Sequence, residues 1–229
     1  MSNSVILLIE TATKNCSVAV CRNGFLICEL SEKSDAFIHA EKLHVLINKA
    51  IRDSGLTPKD IGAVAVSKGP GSYTGLRIGV SAAKGLAFAL DISLLAINTL
   101  ELMCDYGQTL HPDMDFYCGL MDARRDEVYM AVFDNKGREV MATTSAIMGN
   151  NPFAFGDGKR CCFIGDGVKK CEAILPASSI GLDVLPSASM MMQLATTQFK
   201  MGIFENTDTF EPYYLKDFIP GIAKRSLLN

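Results

Sequence analysis

One pattern of short strands occurs twice in this sequence, and it restricts the fold more than any other feature. Residues 5–9, 16–21 and 25–30 are three short apolar or alternating runs, and Asn23-Gly24 separates the last two. Asn-Gly between such runs is the strongest local signal for a hairpin. The second half repeats the design. Residues 116–121 are apolar, residues 127–133 alternate, and Asn135-Lys136-Gly137 turns into residues 138–141. An acid closes the first run of each set, Glu10 in one half and Asp122 in the other. Such a repeat points to an internal duplication. The halves are expected at residues 1–110 and 111–229, with His111-Pro112-Asp113 as the seam.

Helical patterns alternate with further strands between the two sets. Residues 38–54 place Ala40, Leu43, Leu46, Ile47, Ala50 and Ile51 on one arc, and Gly55 and Pro58 end the run. Residues 61–67 and 93–97 read as buried strands, residues 75–90 as a helix, and residues 189–200 as the last clear helix. Strand triplets feeding alternating helices and strands indicate an α/β fold of two similar halves. The actin-like architecture of sugar kinases and Hsp70-type proteins is built this way.

Composition narrows the function classes. With 48% hydrophobic and 21% charged residues, the chain has an ordinary globular mixture. Its apolar runs are too short to span a bilayer and its start lacks a basic stretch before an apolar core. A cytoplasmic protein without a membrane role is expected. The net charge is −3, and the densest basic cluster, Lys216, Lys224 and Arg225, is small. Proteins that grip nucleic acid alone usually carry a basic face, so any RNA served by this chain is expected to be held elsewhere. None of the eight cysteines forms a Cys-x-x-Cys pair, and Cys16 and Cys21 fall on opposite strand faces. Buried or half-buried free thiols in a reducing compartment are the expectation.

The segment Gly69-Pro70-Gly71-Ser72-Tyr73-Thr74-Gly75-Leu76-Arg77-Ile78-Gly79 links a strand to a helix N-terminus. That geometry can present amides to an anion, yet the spacing matches neither a Walker loop nor the dinucleotide fingerprint. A tight structural turn and a phosphate site both remain open. In the helix that follows, Gly75, Gly79, Ala83 and Ala87 recur every four residues, and the apolar arc is wider than burial of one face requires. It is either sandwiched within its own domain or part of a partner interface. The interface expectation rests on Gly75, Gly79, Ala83 and Ala87, with Leu43 and Ile47 from the neighbouring helix.

The glycine segment with Lys84-Gly85-Leu86-Ala87, and the run Asp122-Ala123-Arg124-Arg125-Asp126-Glu127-Val128-Tyr129, resemble the TsaB family, known earlier as YeaZ. Ile9-Glu10-Thr11-Ala12-Thr13, Cys16-Ser17-Val18-Ala19 and Tyr214-Leu215-Lys216-Asp217-Phe218 add to the likeness. The resemblance implies a duplicated actin-like fold and a bacterial complex with TsaD and TsaE. In that complex TsaD moves a threonylcarbamoyl group onto the adenosine beside the tRNA anticodon, and the TsaB-type subunit is a non-catalytic scaffold. For the chain alone a homodimer and a monomer both remain open, and contact with tRNA is expected only through the complex.

Two departures from catalytic relatives support a scaffold. TsaD-like proteins bind metal through a His-x-x-x-His pair, where this chain has Thr99 and Met103. Neither suits a hard or borderline divalent ion, so no metal is expected. Actin-like ATPases place a glycine two residues after each first-strand acid, where this chain has Ala12 and Arg124. No cofactor of its own is expected, and ATP or ADP only in the complex. His39, His44 and His111 read as surface or interface residues. Gly156-Asp157-Gly158 and Gly165-Asp166-Gly167 read as turns. The alternatives are an actin-fold ATPase or small-molecule kinase and, less favoured, a glycoprotease-like metallopeptidase.

Overall fold

A computed structural model describes residues 4–34, 38–123 and 125–216. Lys224, Arg225, Asp217, Phe218 and Arg124 lie outside the described residues.

The first strand triplet is β1 (Val5–Glu10), β2 (Asn15–Arg22) and β3 (Phe25–Lys33), paired antiparallel. Asn23 and Gly24 both take positive φ at the β2–β3 turn, as an Asn-Gly hairpin requires. After α1 (His39–Asp53), β4 (Ala63–Gly69) lies parallel to β1. After α2 (Tyr73–Leu90), β5 (Ser93–Asn98) lies parallel to β4. The sheet order is β3-β2-β1-β4-β5.

The second half follows the same plan. After α3 (Thr99–Leu110) come β6 (Phe116–Asp122), β7 (Glu127–Asp134) and β8 (Glu139–Ile147), then β9 (Cys161–Ile164), α4 (Val168–Cys171), β10 (Ser179–Leu182) and α5 (Met192–Met201). The order β8-β7-β6-β9-β10 matches the first sheet strand for strand. This is the duplicated actin-like α/β fold expected from the repeat. The copies differ in their helices. Short 3-10 turns stand where α1 would be, and α4 has a single turn where α2 has five.

Three apolar layers follow from strand alternation. Val5, Leu7 and Ile9 face outward beneath α1 and α2, while Ile6 and Leu8 face a central core shared with Tyr117, Ala131 and Ile164 of the second sheet. Buried on both faces, β1 reads as a continuous apolar run. Each buried Leu or Ile here contributes roughly 1.5–3 kcal/mol. Cys16 lies in the outer layer and Cys21 in the central one. All eight thiols are free; seven are buried and Cys28 is half-buried.

The end helices are exchanged between the halves. α3, from the first, packs chiefly on β6, β7 and β9; α5, from the second, packs on β5 and β1. Residues 186–189 also return to the first half, where Ala188 N–H donates to Ser17 Oγ and Ser189 bonds Glu29. Chain order therefore breaks near His111, but the packing does not.

Candidate functional site

Two surfaces stand out, a groove between α1 and α2 and a cleft lined in part by the β1–β2 turn. Glu10 ends β1 fully buried, and Ala12 N–H donates to its Oε1 at 2.6 Å. Burial pushes its carboxyl up to about 7, against the lowering effect of the hydrogen bonds from Ala12, Ser67 and Thr11. The glycine segment closes over this turn. Ser72 N–H donates to the Ala12 carbonyl at 2.7 Å, and Ser72 Oγ caps α2 by accepting from Gly75 N–H. A Cβ on Gly71 would lie 2.5 Å from Ala12 O, one on Gly75 2.1 Å from Thr11 O, and one on Gly79 2.1 Å from Thr11 Oγ1. These distances leave no room for a side chain. The glycines serve close packing on the Thr11–Ala12 turn.

This geometry corrects the residue-level interface expectation. Gly75, Gly79, Ala83, Ala87, Leu43 and Ile47 are all buried against the chain's own first sheet. The sheet claims the small-residue stripe because β1 and its turn approach α2 too closely for anything larger. The opposite side of α2 faces outward. Between α1 and α2 runs an open, mostly apolar groove of about 560 Å³, with Ala40, His44, Arg77, Ile78, Gly85 and Leu86 along it. Ala40 therefore sits in this groove rather than under the sheet. A Cβ on Gly85 would meet nothing within 4 Å. On the same helices Val45 is 59% and Phe88 77% exposed.

The second surface is a cleft of about 600 Å³ between the halves, bounded by Thr13, Lys14, Gly71, Tyr73, Asp122 and Tyr129. Asp122, the counterpart of Glu10, is half exposed and pairs with Lys170 at 2.8 Å. Its N–H donates to Asp166 Oδ1 at 3.1 Å, and burial raises the Asp166 carboxyl. Gly165 and Gly167 pack against Leu120 at the end of β6, with Gly167 N–H donating to the Leu120 carbonyl. The two acids thus stand in unlike environments, one sealed and one paired.

The remaining candidates fall into place around these surfaces. Thr99 and Met103 are fully buried on α3, with Asn98 Oδ1 capping the helix by accepting from Leu100 and Glu101. Among the described residues no group of three or more His, Cys, Asp or Glu side chains is placed to hold a metal ion. His39 is buried rather than at the surface, and burial lowers its pKa while backbone bonds near Thr13 and Asn15 raise it. The terminal likeness, residues 214–218, is described as far as Lys216. It lies along the cleft, with Tyr213, Tyr214 and Lys216 on its rim.

Residues 35–196 match the family model of TsaD, described as tRNA N6-adenosine threonylcarbamoyltransferase. The chain belongs to the TsaD family. Within that family it falls in the TsaB/YeaZ group. The tRNA threonylcarbamoyladenosine biosynthesis protein TsaB of Haemophilus influenzae is 27% identical over 95% of this chain and 95% of its own length. TsaB of Bacillus subtilis is 36% identical over 57% of this chain and 56% of its own. The solved structure of YeaZ from Pseudomonas aeruginosa superposes with a TM-score of 0.79 at 27% identity, over 93% of this chain and 100% of that one. An ethanolamine utilization protein EutJ, 10% identical with a TM-score of 0.51, shares the fold alone. No helix among the described residues of this TsaD-family chain is long and apolar enough to cross a membrane.

Proposed function

We propose that this chain acts in tRNA threonylcarbamoyladenosine biosynthesis as a non-catalytic scaffold that pairs with TsaD, and through that pair with TsaE. One contrast carries the reading. The β1–β2 turn, where an actin-like ATPase would hold phosphate, is filled by its own packing, while the helices above it keep an apolar groove open to solvent. Contiguous exposed apolar surface of this kind marks a protein interaction site. In this reading the α1–α2 groove receives TsaD, or a second copy when TsaD is absent. The chain has no cofactor of its own, engages ATP or ADP only in the complex, and meets tRNA indirectly in the cytoplasm. A net charge of −3 accords with RNA being held by another subunit.

The test is size-exclusion chromatography of the pure chain with and without TsaD, with ATP turnover measured on each fraction. A mixed complex and no turnover by the chain alone are expected. Turnover by the pure chain that Asp122→Ala abolishes would establish the ATPase reading instead.

A further inference from the structure

Residues 213–216 cross the mouth of the cleft and are fastened to both halves. Tyr213 N–H donates to the Lys68 carbonyl at 2.7 Å, beside Gly69, where a Cβ would lie 2.5 Å from the Tyr213 carbonyl oxygen. Only glycine lets the strap run this close, and Gly69 also has φ +114°. The Tyr214 ring then packs on Tyr73 with centroids 4.9 Å apart, and its hydroxyl accepts from Arg77 Nε at 3.1 Å. The Arg77 guanidinium carbon sits 4.1 Å from the Tyr73 ring centre and 5.9 Å from that of Tyr214. Lys216 pairs with Glu127 at the start of β7 and lies 5.6 Å over the Tyr129 ring.

Arg77 belongs to two surfaces. It anchors the strap, and it lines the α1–α2 groove. An exposed arginine ordinarily samples many rotamers, and ordering them on binding reduces affinity. Here the guanidinium carbon sits over a tyrosine ring and Nε is engaged before anything enters the groove. Its terminal nitrogens form the planar fork that a carboxylate accepts.

We infer that Tyr214 is a positioning residue for the α1–α2 docking surface. It holds Arg77 ready for a carboxylate on the docked protein, and docking in turn secures the strap across the cleft. The inference rests on the docking reading above. The coupling is reciprocal, because whatever strap seating adds to docking affinity, docking adds to strap seating.

Two measurements on the full chain test it. In the chain alone, Arg77→Ala should speed hydrogen exchange at the Tyr213 amide about threefold or more, since the strap loses one of its anchors; unchanged exchange overturns the inference. In calorimetric titration with TsaD, Tyr214→Phe should weaken binding about three- to tenfold, within the range for one ordinary hydrogen bond. Combined with Arg77→Ala it should add nothing further, because the hydroxyl acts only through that arginine. A merely structural Tyr214 would lower the melting temperature and add its effect to that of Arg77→Ala, which overturns the inference. If Gly85→Trp abolishes binding while Tyr214→Phe leaves it intact, the coupling fails and the docking reading stands. If TsaD binds wild type and Gly85→Trp equally, or binds neither, the docking reading fails and the positioning role with it.

Discussion

Glu10 offers the most direct residue-scale test. Its carboxyl titrates at about 7 in the folded chain and near 4.5 when unfolded. Between those values the folded state keeps a proton that the unfolded chain has released, so stability falls as pH rises through that window. The full difference is on the order of 3 kcal/mol. Glu10→Gln keeps an acceptor for Ala12 N–H and should flatten the pH dependence of urea midpoints between pH 5 and 7, roughly the window those pKa values define. A wild-type slope retained in the variant would show that another group titrates there. Gly79 supplies a second test. Gly79→Ala places a Cβ 2.1 Å from Thr11 Oγ1 and should cost about 1–3 kcal/mol by overpacking. Adding Thr11→Ala removes the clashing oxygen and should recover part of that loss; equal stability of the single and double variants would contradict the contact. The four-residue recurrence of these small residues was legible in the sequence, but its neighbour was not. Periodicity identifies a face of a helix and carries no information about which element covers it.

At the scale of elements, strands with a clear period or a turn signal were legible. The Asn-Gly hairpin, the acid-terminated β1 and β6, and helices α1 and α2 all occupy the regions their patterns indicate. β9 and β10 were not legible. Each has four residues, β9 is apolar throughout with two adjacent cysteines, and β10 contains a glycine, so neither shows alternation. The shortening of the second half, with one helical turn in place of α2, left the sequence between β8 and α5 without amphipathic signal. α2 separates packing from docking within one helix. Gly85 points into open space on the groove side, so Gly85→Ala should stabilise the chain by about 0.5–1 kcal/mol through helix propensity, read as a higher denaturation midpoint. A loss of stability at Gly85 would mean that the groove is occupied from within the chain.

For the whole molecule, duplication was visible in the strand triplet that opens each half, whereas the exchange of α3 and α5 between halves was not. Both helices are amphipathic, and nothing in either pattern says which sheet receives it. The central core draws on both sheets at once, through Ile6, Leu8, Tyr117 and Ile164 among others. A fragment ending at residue 110 would expose the inner face of the first sheet, so it should show no cooperative thermal transition by circular dichroism. A sharp transition would show that the first half has a sufficient core of its own. The central claim concerns what the intact molecule does for a partner. Its most direct measurement is the yield of threonylcarbamoyladenosine on tRNA in a reconstituted reaction containing TsaD and TsaE, with this chain present, omitted, or replaced by Gly85→Trp. The account predicts that omission abolishes the product and that Gly85→Trp, folded as stably as wild type, lowers the yield in proportion to its loss of TsaD binding. Full yield without the chain, or with a variant that no longer binds TsaD, would contradict it.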